Sequence, residues 1–125
     1  MNNNIPLYYN EDKTKFGILV SRGFGAGWST WSEHELAYDR RVIEFWLAHK
    51  NDSRWMREVE CYRPESPEHE EAREFFVNKL GLEDCPYMGG FPDCVLQWVP
   101  VGARFRIDEY DGAESLEVEN EGSWW

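Results

Sequence analysis

No run of this sequence approaches the roughly 18 consecutive apolar residues of a membrane-spanning helix, so no membrane association is expected. The first residues, MNNNIPLYYNEDK, lack the basic start and apolar core of a secretory signal peptide. Cysteine is sparse and odd in number: Cys61, Cys85 and Cys94, with no Cys-x-x-Cys pair. That argues against a disulfide framework and for free thiols in a reducing, cytoplasmic compartment. The histidines His34, His49 and His69 fall on different segments, so neither a metal nor another cofactor is expected. Gly-Lys-Ser/Thr and Gly-x-Ser-x-Gly are both missing, which removes the P-loop and the nucleophile elbow. Basic residues are scarce in one half only. Positions 64–125 hold four Lys/Arg against fifteen Asp/Glu, whereas positions 1–63 hold nine of each.

Aromatic and acidic residues are abundant instead. Seven Trp, six Tyr and seven Phe in 125 residues supply enough bulky surface for one folded domain despite a net charge of -11. From Asp108 onward there are seven carboxylates and no basic side chain. Such a surface repels nucleic acid, so no direct nucleic-acid binding is expected, and it attracts basic patches on other proteins. The same acidity also serves plain solubility.

The pattern predicts an α+β domain over residues 1–125. KFGILV (15–20) reads as a buried strand that exits through Ser-Arg-Gly. Ser32 and Glu35 have the spacing of a capping box, which predicts a helix from there to about Lys50. Its apolar stripe would hold Leu36, Ile43, Trp46 and Leu47, with Asp39, Arg40 and Glu44 on another face. Asp52 caps a second helix with Trp55, Met56 and Val59 inward. Ser66-Pro67 opens a third, rich in glutamate at its positive end and closed by Gly81. Three strands follow. Asp111-Gly112 favours a type I′ turn that pairs Tyr110 with Ala113, Ile107 with Leu116 and Phe105 with Val118. The opposite face then pairs Arg106 with Glu117 and Arg104 with Glu119, and a one-residue slip destroys both matches. The expected architecture is a small antiparallel sheet, one N-terminal strand plus a C-terminal three-strand meander, packed against two or three helices.

Two constellations are candidates for function. The segment SRGFGAGWSTW (21–31) places Gly23, Gly25 and Gly27 at every second position. Their backbone could form an anion nest, Arg22 could add a bidentate donor, and Trp28 and Trp31 could stack on a base. The spacing is one residue short of a dinucleotide fingerprint, and the alternative is a tight turn whose tryptophans plug the core. The second constellation is acidic: Asp108, Glu109, Asp111, Glu114, Glu117 and Glu119, with the glutamates of the third helix. Regularly spaced carboxylates can imitate a phosphate backbone, although a charge run is more often a solvated face. The terminal GSWW adds Trp124 and Trp125, either core plugs or partner anchors. No serine, cysteine or carboxylate pair can be assigned a catalytic role from spacing.

KFGILVSRGFGAGWSTW (15–31) and VPVGARFRIDEYDGAESLE (99–117) resemble segments of small bacteriophage- and prophage-encoded proteins of no established activity. The resemblance covers under a third of the chain and carries no residue role. It implies a phage setting and a bacterial host cytoplasm. The leading expectation is therefore a non-enzymatic interaction protein. Its partner would be a host protein with a basic surface, such as a nucleic-acid-handling defence protein, met through acidic groups and aromatic anchors. The second expectation is a small-ligand binder that captures a nucleotide-like ligand at residues 22–31. An unassigned hydrolase or transferase is third.

Overall fold

Residues Lys15–Ser21 form strand β1, and every one from Phe16 to Ser21 is buried. A strand needs so continuous an apolar run only when both of its faces are covered. Leu19 packs into a cluster with Trp28, Ile43, Trp46, Val59, Phe76 and Phe91 on the helical side. Phe16, Ile18 and Val20 pack on the other side with Tyr38, Val99 and the half-buried Phe105, Ile107 and Leu116. The structure, a computed structural model, describes residues 5–60 and 66–119.

Strand β2 (Cys94–Pro100) runs antiparallel to β1, from Lys15 opposite Pro100 to Ser21 opposite Cys94. Strands β3 (Phe105–Tyr110) and β4 (Ala113–Val118) form a hairpin in the expected register, with Tyr110 opposite Ala113 and Phe105 opposite Val118. Asp111 (φ 50°) and Gly112 (φ 88°) both take the positive φ that a type I′ turn requires. The Arg104–Glu119 pair is also made, at 3.5 Å.

The fold is α+β, but the four strands among the described residues make two separate two-stranded ladders, β1–β2 and β3–β4, in place of a three-strand meander. The turn after β2 explains the difference. Ala103 N donates to Pro100 O at 3.0 Å, Val101 N turns back to Thr14 O at 2.8 Å, and Arg104 O accepts from Glu119 N at 2.9 Å. Backbone groups on both sides of the turn thus pair with other segments, and the hairpin folds over β1 as a second layer.

The first helix starts later than the capping-box spacing predicts. Residues 29–31 and 34–37 are single 3₁₀ turns, and α1 spans Arg40–His49. Leu36, Ala37, Tyr38 and Asp39 are consecutive and all buried, an arrangement that one face of a surface α-helix cannot supply. Asp39, expected on an outer face, is instead 2 % exposed and caps α1, accepting from Arg41 N at 2.9 Å and from the Arg41 guanidinium. Ser32 Oγ donates back to Trp28 O rather than capping a helix. Helix α2 (Ser53–Glu60) buries Trp55, Met56 and Val59, and Asp52 accepts from Trp55 N. Helix α3 (Pro67–Arg73) is capped by Ser66, which accepts from His69 N, and widens into a π-type turn over Glu74–Lys79. Gly81 (φ 88°) follows it.

Candidate functional site

The two constellations singled out in the sequence meet in space. Glu109 and Glu114 lie opposite each other on the hairpin, on the same inner face as Phe105, Ile107, Leu116 and Val118. From there Glu114 reaches into the glycine segment and is only 1 % exposed. Its Oε1 accepts from Ser21 N at 2.8 Å. Its Oε2 accepts from Trp28 N at 2.7 Å, from Thr30 N at 3.1 Å and from the Thr30 hydroxyl at 2.5 Å. Backbone donors of Ser21, Trp28 and Thr30, not those of the three glycines, surround an anion, and that anion is the chain's own carboxylate.

Two expectations are corrected by this arrangement. Glu114 is not a surface acid available to a partner, because all of its carboxylate is enclosed by the loop. The glycine segment is not an open phosphate cradle, because the donors of Ser21, Trp28 and Thr30 already hold Glu114. Arg22 N donates to Asp93 O, Gly25 N to Asp111 O, and Trp31 N to Trp28 O. Trp28 cannot stack on a base either. It is fully buried, with its ring 4.8 Å from that of Phe91 and 6.0 Å from that of Phe76, and its indole N–H donates to Leu36 O.

The glycines have separate reasons for their places. Gly23 leaves room for the Asp93 carboxylate, and Gly27 faces the Trp31 ring. Gly25, at φ 94°, supplies the left-handed turn that carries the loop across the hairpin tip. Gly112 sits so close to the backbone of Gly25 and Ala26 that a Cβ there would collide with it. Loop and hairpin tip are thus locked into a single unit.

Large aromatic side chains crowd that unit and remain exposed. Phe24 is 73 % and Tyr110 77 % exposed, one on each side of the Gly25–Asp111 bond. Trp31 (43 %) stacks on Tyr87 (49 %) at 5.8 Å, and its indole N–H donates to Glu109 Oε2 at 3.1 Å. The Gly112 N–H and then the Trp31 indole hold the Glu109 carboxyl below its ordinary pKa. Arg22 is exposed beside Phe24.

The acidic residues divide by position. Asp108 pairs with Arg106 at 3.3 Å and Glu119 with Arg104, so both are partly neutralised by their own neighbours. Asp111 is exposed at the tip, and Glu117 is half-buried on the outer face opposite Arg106. Sequence reasoning missed Glu33, Glu83 and Asp84, which are exposed and line one recess next to Tyr87. It also missed Phe24, Tyr87 and Tyr110 as exposed rings. On the third helix Glu71 is engaged, accepting from the Trp55 indole at 2.7 Å and contacting His49 Nε2. Trp124 and Trp125 lie outside the described residues.

Among the described residues, no group of three or more His, Cys, Asp or Glu is placed to hold a metal ion, and no helix is long and apolar enough to cross a membrane. Cys85 and Cys94 are free thiols; Cys61 lies outside the described residues. Burial, with Asp84 nearby, pushes the Cys85 thiol up to about 11, and burial beside Glu114 and Asp93 raises the Cys94 thiol well above its ordinary value. Both are therefore poor nucleophiles at neutral pH. Compared with protein-family models, curated proteins and solved structures, the chain matches none.

Proposed function

We propose that this is a non-enzymatic interaction protein whose docking surface is the unit formed by loop 22–31 and the β3–β4 tip. One observation carries the reading: Phe24, Trp31, Tyr87 and Tyr110 are all exposed around a junction tied by the buried Glu114 hydrogen bonds and by the Trp31–Glu109 bond. Exposed aromatic rings on a pre-ordered scaffold lose little entropy when they dock, and such side chains dominate binding hot spots. The acids at the rim, Glu33, Glu83, Asp84 and Asp111, favour a partner with a basic surface and speed its encounter. The likeness of residues 15–31 and 99–117 to phage proteins favours a bacterial host protein as that partner.

The test is affinity capture from a bacterial host lysate at low and high salt, with the intact chain and with a Phe24→Ser/Tyr110→Ser variant. Both positions are solvent-exposed, so the variant should melt at the same temperature as the parent. A protein retained by the parent, lost by the variant and weakened by salt is the expected result. Retention of the same proteins by both chains would exclude this surface.

A further inference from the structure

A second site lies on the other side of Thr30. Between residues 29–38 and the start of β3 the surface opens into a cleft of about 620 Å³. Its floor is aromatic: Phe105 meets Phe16 edge-on at 5.8 Å and Tyr38 edge-on at 6.0 Å. One polar atom in that floor has no explanation within the fold. Ser29 is 2 % exposed, lines the cleft, and its hydroxyl has no hydrogen-bond partner among the described residues. A buried unpaired hydroxyl is costly and rare enough to require a reason.

The mouth is chemically different from the floor. Arg104 and Arg106 line it together with His34. Both arginines already pair with carboxylates through Nε, Arg104 with Glu119 and Arg106 with Asp108, but their side chains are 69 % and 51 % exposed. The exposed part of each guanidinium presents further N–H donors that an anion at the mouth can accept from while those pairs stay in place.

We propose that this cleft binds a planar heteroaromatic anion, the chemistry of a nucleoside monophosphate. The ring lies against Phe105 and Tyr38, a ring nitrogen or carbonyl pairs with the Ser29 hydroxyl, and the anionic arm points to Arg104 and Arg106. Volume and make-up suit this class, since small-ligand sites are mostly apolar hollows with a few placed polar groups. The cleft takes Ser29 and Thr30 from the same loop but none of the exposed rings Phe24, Trp31, Tyr87 and Tyr110, so the two readings are tested by different variants and either can fail without the other.

The experiment titrates AMP, GMP, CMP and UMP into the full chain and follows backbone NMR shifts, with adenosine and inorganic phosphate as separate arms. Expected are saturable shifts confined to residues 29–38 and 102–107 for at least one nucleotide, with a Kd between about 10 μM and 1 mM. Adenosine should bind more weakly and phosphate weaker still. Ser29→Ala should weaken nucleotide binding about three- to ten-fold while leaving the free protein as stable as before or more so, because it removes an unpaired hydroxyl. A generally destabilised variant would lose both. No saturable shift for any nucleotide, equal shifts from phosphate alone, or unchanged affinity in Ser29→Ala would each overturn the proposal. So would binding that appears only in a Trp124→Ala/Trp125→Ala chain, because the cleft would then serve the chain's own terminal segment.

Discussion

The two ladders of this protein are held by opposite chemistry. The β1–β2 ladder is a hydrophobic element in which Phe16, Ile18, Leu19 and Val20 are all essentially inaccessible. In the β3–β4 ladder the inner face begins apolar, at Phe105 and Ile107, and ends at the tip with two glutamates. Those glutamates hold the 22–31 loop by directed hydrogen bonds, whereas β1 is held by area and shape. An apolar contact would tolerate a loop shifted by an ångström. Four hydrogen bonds onto one carboxylate do not, which is why the exposed rings beside it are held in a defined position.

The largest expected effect separates the two modes. Glu114→Ala strands three backbone N–H groups and a hydroxyl, and should cost roughly 3–5 kcal/mol in chemical denaturation. Leu19→Ala, a cavity in the apolar layer, should cost about 2–4 kcal/mol. The decisive contrast is Glu114→Gln. It keeps the shape but turns an amide NH₂ toward backbone donors, and should still lose about 2 kcal/mol. A near-neutral result would mean that the loop is held by packing after all.

Two glycines sharpen the same comparison. Gly102 and Gly112 have nearly equal φ, 90° and 88°, but only Gly112 faces another backbone segment. Gly102→Ala should therefore cost about 1 kcal/mol from backbone strain alone. Gly112→Ala should cost about 1–3 kcal/mol more, because loop and tip must separate. Equal losses would mean that the loop moves aside freely.

The smallest effect concerns Glu109. Its folded pKa lies below the ordinary value of 4.5, so the stabilisation is present above 4.5 and fades as pH falls through the lower folded value. A melting series from neutral pH downward should show a slightly shallower acid decline for Glu109→Gln than for the parent. Trp31 emission should shift in the same acidic range, as its indole partner is protonated. If Trp31 emission is flat across that range, the bond does not persist in solution.

Much of the architecture was legible because it is local. Asp111-Gly112 selects its turn, the turn selects the register, and the register matches every pair named from Tyr110 to Val118. Asp52 and Ser66 cap where short polar side chains precede apolar stripes. The Ser32 spacing misled because tertiary burial of Leu36 to Asp39 outweighed a local cap signal. The destination of Glu114 was half-legible. The hairpin register already places it on the apolar face, where an acid needs donors, and the glycine segment was already recognised as a source of them.

From residues alone came the class of fold, the hairpin register, a glycine segment able to offer backbone donors, and a surplus of acids. Those follow from turn geometry, side-chain periodicity and charge count, which act over a few neighbours. Only the folded chain decided that backbone donors enclose Glu114, 93 residues after Ser21 and 86 after Trp28. It likewise decided that Trp28 is core while Trp31 is surface. No local rule specifies which distant carboxylate a loop encloses, because that choice is made by layers that pack before their polar groups can find each other.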